Sequence, residues 1–269
     1  MILSHFRTDK TFVELDYAQL EVRVLALASG DMRLIEDINS GMDMHTYFAT
    51  RIFGKSDITP KERRLAKGFS FQLQYGAGAK GIAKHWNVDE SLSQRFIDEY
   101  FSRYSGVERW QQLMLDVAKQ TLKHRGDFKN NESVPSYYIP SIWKDPVSKR
   151  AVNHFRLVAE KPEWANEYRI SPTKTKNYPI QGAASDIMMF SLVRLTKALE
   201  GAPAKVLNTV HDSVLLEVSD NIDEICLKTK AVLEQVPTEL AQMFQIKVPI
   251  PFPVDYSTGT TLEEVKKSA

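Results

Sequence analysis

The pattern of apolar and polar positions divides the chain into helices and a few short strands. Thr11-Phe-Val-Glu-Leu15 alternates and is rich in β-formers, which predicts a strand ending near Asp16. Residues 18–29 (AQLEVRVLALAS) carry apolar positions at helical spacing and stop at Gly30. A second helix is expected over 43–53, ended by Gly54. The helix beginning at Pro60 is the best signed. Thr59 suits its N-cap, Pro60 its first turn, and Glu62 completes a capping box, while Gly76-Ala-Gly78 ends it. Further helices are expected over 90–104, 107–123 and 177–199. The stretch 125–172 holds Pro135, Pro140, Pro146, Pro162 and Pro172 and reads as irregular, with short strands or a helix. Two β-rich runs, 205–210 and 213–218, are separated only by His211-Asp212, which predicts a tight hairpin. A helix over 222–235 and a proline-interrupted strand over 247–256 close the pattern. Helices and antiparallel strands are segregated, so the expected class is α+β.

Composition narrows the class without naming a function. Apolar residues make up 43% and charged residues 26% of 269, as in ordinary globular proteins, which excludes a disordered chain, a collagen and a disulfide scaffold. The lone cysteine, Cys226, cannot form an internal bridge, which suits a reducing cytoplasm. No apolar run approaches the roughly 20 residues of a membrane span, and the apolar stretch within the first ten residues is too short for a signal peptide. The net charge of +1 argues for no partner, but its distribution is uneven. Between Arg51 and Lys84 there are eight basic residues against two acidic ones, an excess of six, whereas acidic residues dominate from Asp212 to Glu239. A basic segment of this kind fits either a local polyanion site or a solvated helix face.

Two constellations carry candidate chemistry. Arg63, Lys67, Phe71 and Tyr75 recur every four residues, so on a helix they form one slowly twisting row of about 18 Å. Two cations followed by two rings suit a nucleoside triphosphate; the same spacing also fits an amphipathic helix with solvated cations and a buried ring pair. Gly68 lies inside this helix, where it costs about 1 kcal/mol relative to alanine. A close approach of another chain or a ligand would account for it. The second constellation is Asp16 at a strand end and Asp212 at a hairpin tip. Two aspartates from separate strand ends can meet over one sheet and hold two Mg²⁺ ions about 4 Å apart, though turn aspartates are common.

The motifs around these residues carry a resemblance. Asp16-Tyr-Ala-Gln-Leu-Glu-Val-Arg23, running to Gly30-Asp31, resembles the first polymerase motif of the DNA polymerase I family (family A). Arg63-Arg-Leu-Ala-Lys67-Gly-Phe-Ser-Phe71-Gln-Leu-Gln-Tyr75-Gly76 is similar to its second motif, on the fingers helix. Val210-His211-Asp212-Ser213-Val214 is similar to the third, and Asn177-Tyr-Pro-Ile-Gln181-Gly to the segment that tracks the primer–template duplex. The four occur in family order. The forms Ser-Pro-Thr-Lys-Thr-Lys-Asn-Tyr-Pro and Val-His-Asp-Ser look most like the phage branch.

The resemblance implies a role for each matched residue. Asp16 and Asp212, with the main-chain carbonyl of Tyr17, would hold two Mg²⁺. Arg63, Lys67 and His45 would contact the triphosphate, Lys67 also protonating the leaving pyrophosphate. Glu21 would exclude a 2′-hydroxyl, Phe71 would pack on the sugar, and Tyr75 would lie near the templating base. Gln181, Asn177 and His211 would lie near the primer terminus and minor groove, and Gln19 (on the nucleotide side) and Arg23 (on the DNA side) would support the floor of the site. The implied reaction is transfer of a dNMP from a dNTP to a primer 3′-hydroxyl.

The chain also departs from the family pattern. Many members carry Glu after the His-Asp pair where this chain has Ser213. Bacterial members carry an arginine at the position of Thr173, beside Lys174 and Lys176 here. Family members carry long upstream portions, often an exonuclease and then a thumb. The expected architecture is therefore a right-hand polymerase without its thumb: palm over 1–30, helical fingers over 31–125, an irregular connection over 126–176, and antiparallel-sheet palm over 177–269. An upstream portion or a separate N-terminal chain is an expected partner, with primer–template DNA and dNTPs. Two other readings compete. One is a DNA-binding remnant that is inactive alone. The other is a single-subunit RNA polymerase, against which Glu21 argues.

Overall fold

The computed structural model describes residues 6–121 and 169–268, and between them the two-residue strands β2 (Lys123–His124), β3 (Tyr137–Tyr138), β4 (Trp143–Lys144), β5 (Ala151–Val152) and β6 (Ala159–Glu160). With β7 (Arg169–Ile170) these pair as β2–β3, β4–β5 and β6–β7. Most of the expected irregular stretch thus lies outside the described residues. Backbone contacts divide the chain into two compact units, 1–24 with 183–269, and 25–182.

The first unit is built on a four-stranded antiparallel sheet. Its strands are β1 (Arg7–Tyr17), β8 (Ala204–Val210), β9 (Ser213–Val218) and β10 (Val254–Thr261), in the order β10-β1-β9-β8. Phe12, Val13, Glu14 and Leu15 are all buried, so the central strand β1 is covered on both faces rather than on one. Two further helices belong to this unit: α9 (Ile222–Met243), which contributes Ile225, Cys226, Leu233 and Val236 to the core, and the short α10 (Leu262–Ser268), anchored by Val265. The class is α+β, as expected.

The expected boundaries shift where long-range partners override local signals. Helix α9 runs eight residues past 235, through buried Pro237. A helical proline offers no N–H to the carbonyl four residues back, here that of Leu233. The Tyr17 hydroxyl, from β1, donates to that carbonyl at 2.6 Å. The last strand covers Val254–Thr261 rather than 247–256, because Pro249, Pro251 and Pro253 remove ladder donors before it.

The second unit is helical. It contains most of α1 (Leu20–Ser29), then α2 (Met32–Asn39), α3 (Met44–Phe53), α4 (Pro60–Gln74), α5 (Ala79–Trp86), α6 (Glu90–Arg103) and α7 (Ser105–Thr121). It also holds the first part of α8, which spans Pro172–Ala198 and so begins five residues before the expected 177. Helices α2 and α5 carry only eight residues each and were not among the expected elements. The core is aromatic: Phe48 contacts Phe96, Tyr100 and Tyr104 at centroid distances of 5.4, 5.2 and 5.6 Å. Buried Asp31 ties the entries of two helices, accepting from Leu34 N–H at 2.9 Å in α2 and from Gly106 N–H at 2.6 Å in α7. Asp37, also buried, accepts from Arg103 through both Nε and an Nη at 2.6 Å and from the Tyr104 hydroxyl at 2.7 Å, binding α2 to α6.

Candidate active site

In the first unit the sheet register assembles the carboxylates. Asp16 pairs with Ser213, so the hairpin tip that carries Asp212 lies beside the end of β1. The Tyr17 N–H donates to the Asp212 carbonyl at 3.2 Å and closes this corner. His211 at the tip takes a left-handed φ of 55°, which non-glycine residues seldom adopt. Asp16 Oδ1 is buried without a hydrogen-bond partner. Burial and then the neighbouring charge of Asp212 push the Asp16 carboxyl up to about 6. A buried, unpartnered carboxylate oxygen pressed by a second carboxylate is a site that a cation relieves, so these residues fit a divalent ion. Among the described residues no three His, Cys, Asp or Glu side chains form a metal cage.

The turn from β1 into α1 places the other residues expected here. Gln19 is exposed with a left-handed φ of 55°. Glu21 lies in the first turn of α1 and is half-buried. Arg23 donates from Nε to the Ala18 carbonyl at 2.8 Å and from an Nη to the Pro251 carbonyl at 2.7 Å, so it braces this corner against the segment entering β10. The Tyr17 ring points into the core, where its hydroxyl also lies 2.9 Å from Ser191 Oγ.

In the second unit, helix α4 carries the cationic and aromatic row. Thr59 and Glu62 form the full capping box at its start. Arg63 and Lys67 are exposed, while Phe71 and Tyr75 are half-buried. The Lys67 ammonium sits 5.8 Å from the Phe71 ring centroid. Arg63 Nε donates to Asp43 Oδ2 at 2.8 Å. Asp43 also caps α3, accepting from the backbone of His45 and Thr46. Burial pulls the Asp43 carboxyl upward, but Arg63 and Thr46 hold it well below the usual carboxylate range. His45 is 5% exposed, and neither ring nitrogen has a partner. Burial first, then Arg63 and Lys67, lower it to about 4 against the opposing charge of Asp43, so its imidazole is neutral near pH 7. A neutral ring retains one N–H donor, here buried beside the charges of Asp43, Arg63 and Lys67.

Gly68 is explained from within the chain rather than by another chain or a ligand. A Cβ there would lie 1.9 Å from the Trp86 ring, because the indole from α5 occupies the notch. At the end of α4, Gly76 takes φ 77°, and the side chain of Lys176 lies across it. Lys176 is half-buried, which lowers its pKa. Asn177 and Gln181, one turn apart on α8, share a face, with Gln181 exposed.

Three contributors escaped the sequence reading. Asp43 partners Arg63, Trp86 fills the Gly68 notch, and Glu14 lies beside Asp16 on β1. Only Glu14 left a usable signal: a carboxylate two residues before Asp16, in the apolar run of a strand.

One unit thus carries a sheet end with two neighbouring aspartates, and the other a helix with a row of cations and rings. The chain belongs to DNA polymerase family A, whose description matches residues 2–264. It is 32% identical over 261 residues to DNA polymerase I of Geobacillus stearothermophilus, covering 93% of this chain and 26% of that protein. It is 30% identical over 269 residues to DNA polymerase I of Lactococcus lactis subsp. lactis, covering 96% of this chain and 26% of that protein. The chain thus spans about a quarter of the length of these relatives. Among solved structures, it matches the POL domain of Pol1 from M. smegmatis, described in complex with DNA primer-template and dNTP. That match has a TM-score of 0.71 at 25% identity and covers 97% of this chain and 42% of the other. Among the described residues no helix is long and apolar enough to cross a membrane.

Proposed function

We propose that this chain is the fingers and palm portion of a DNA-directed DNA polymerase, with the helical unit as fingers and the sheet unit as palm. The reaction is in-line attack of a primer 3′-hydroxyl on the α-phosphate of a dNTP, with release of pyrophosphate. The observation that carries this reading is the Asp16–Asp212 pair: two carboxylates brought together by strand register, one with a buried oxygen that nothing in the chain satisfies. Two Mg²⁺, held by Asp16, Asp212 and the Tyr17 carbonyl, would activate the hydroxyl and stabilise the leaving oxygen.

The other residues position and select. Arg63 and Lys67 bind the outer phosphates, and Arg63 leaves Asp43 to do so. His45 donates its one N–H to a phosphate oxygen, and Lys67 protonates the departing pyrophosphate. Glu21 closes the space a 2′-hydroxyl would need, and Phe71 packs on the sugar. Tyr75 borders the templating base, with Asn177, Gln181 and His211 along the duplex. Phosphate contacts by Lys174 and Lys176 hold the duplex without reading its sequence. The Val-His-Asp-Ser form of the third motif supports a phage-type replication enzyme.

Primer extension tests this reading, with the chain alone and then with an upstream thumb portion supplied, and with Asp212→Ala as the blank. Extension absent from the blank is expected. Salt-dependent DNA binding without incorporation in either arm would instead make the chain a DNA-binding remnant. Ribonucleotide incorporation matching that of deoxynucleotides would point to an RNA polymerase.

A further inference from the structure

Glu14 is 5% exposed on the central strand, two residues before Asp16. Ser213, next to Asp212, donates from Oγ to Glu14 Oε1 at 3.0 Å and lies equally close to the Val210 carbonyl. This hydroxyl therefore spans the hairpin tip from within. The Lys266 ammonium donates to the same Glu14 oxygen. It is placed by a well-anchored helix. Thr261 caps α10, accepting from the Glu264 N–H at 3.2 Å, while the Glu264 carboxylate accepts from the Thr260 N–H at 2.7 Å. Val265 is buried, and its carbonyl accepts from Ser257 Oγ at 3.0 Å. Around Asp16 stand the carboxylates of Asp212, Glu14 and Asp255, and Lys266 is the cation that acts on it.

We propose that Lys266 is a positioning residue for the catalytic hairpin. Through Glu14 and Ser213 it fixes the tip that carries Asp212, and it supplies the countercharge that lets a third carboxylate be buried beside the pair. A buried carboxylate that loses its cation is costly, so removing Lys266 alone should weaken the hairpin tip. The C-terminal helix is thereby coupled to the site across 252 residues of sequence. This inference rests on the reading of Asp16 and Asp212 as the catalytic pair.

The test uses the full chain, with any upstream portion that activity requires, in four variants: Lys266→Met, Lys266→Arg, Ser213→Ala, and Glu14→Gln combined with Lys266→Met. The double variant keeps a Ser213 acceptor at position 14 without a charge, so it folds even where Lys266→Met does not. Two quantities are read: amide hydrogen exchange across residues 204–218, and the single-turnover incorporation rate at saturating dNTP. Lys266→Met and Ser213→Ala should speed exchange at the tip by about ten-fold, leaving β10 unchanged. They should slow incorporation by about ten- to a hundred-fold. Lys266→Arg should restore both quantities, and the double variant should restore tip protection. Unchanged exchange at the tip, or faster exchange spread evenly over the sheet, would overturn the proposal. Retained incorporation by Asp212→Ala would sink the catalytic reading instead, leaving the exchange result to judge the Lys266 link alone.

Discussion

Replacing Tyr17 by Phe tests how a proline comes to lie inside helix α9. The substitution keeps the ring in the core and removes one oxygen. Pro237 has no N–H, so the buried Leu233 carbonyl depends on the Tyr17 hydroxyl, 2.6 Å away. Ser191 depends on it less, because its own hydroxyl also reaches the Ile187 carbonyl at 2.8 Å. The loss is therefore one buried acceptor left unsatisfied, which costs about 1–3 kcal/mol. Urea unfolding followed by circular dichroism should show that loss as a lower midpoint at an unchanged slope. A double-mutant cycle isolates the cause. Pro237→Ala returns an N–H at the position that serves Leu233, so in that background Tyr17→Phe should cost less than about 1 kcal/mol. The same penalty in both backgrounds, or a loss below about 0.5 kcal/mol in the natural sequence, would refute the reasoning.

Two other predictions follow from the geometry and a third from the proposed function. Gly68→Ala raises helix propensity by about 1 kcal/mol but drives a methyl into Trp86, so it should destabilise by about 1–3 kcal/mol, and Gly68→Ala in a Trp86→Ala background should remove that penalty in thermal melts. His45 stays neutral when folded down to about 4, against 6.5 for an unperturbed ring, so its contribution to stability is complete above the higher value and is lost as pH falls from 6.5 towards 4. Subtracting the stability–pH curve of His45→Gln from that of the natural chain should leave a positive slope confined to that window, and a flat difference would mean the ring titrates normally. Glu21→Ala should admit ribonucleotides by about ten-fold or more in single-nucleotide incorporation, and an unchanged sugar preference would remove the gate assignment.

Features whose physics is complete within a few residues were legible in the sequence. Thr59, Pro60 and Glu62 announce α4 because a capping box closes over three positions. The tip at His211-Asp212 is legible because two β-rich runs leave only two residues between them. Asp16, Asp212, Arg63 and Lys67 were found as motifs, and strand register and helix spacing then explain why those side chains sit where they do. Helices α2 and α5 were missed because eight residues carry too little periodicity to stand out from their neighbours. The end of α9 was missed because Pro237 is a stop signal in isolation and a tolerated residue only beside Tyr17.

The same contrast explains why the proposed catalytic pair is easier to read than its support. A carboxylate that faces a metal and a phosphate answers to chemistry outside the chain, so its type and spacing are restricted wherever that chemistry is done. Glu14, Ser213 and Lys266 answer only to one another. Any set of groups that holds the tip and balances one buried charge would serve, so no residue type is compulsory at any of the three. Ser213 shows the freedom: a serine there can donate, which a carboxylate cannot, and the acceptor it needs stands on β1 at 3.0 Å. The buried charge of that acceptor, Glu14, requires a cation, and α10 provides it. A carboxylate at position 213 would lose the donor and set a second negative charge against Glu14, so it is not compatible with Glu14 as it stands. The support around Asp212 should therefore vary as a unit, with Glu14 and Lys266 changing together with Ser213, while the two aspartates stay fixed.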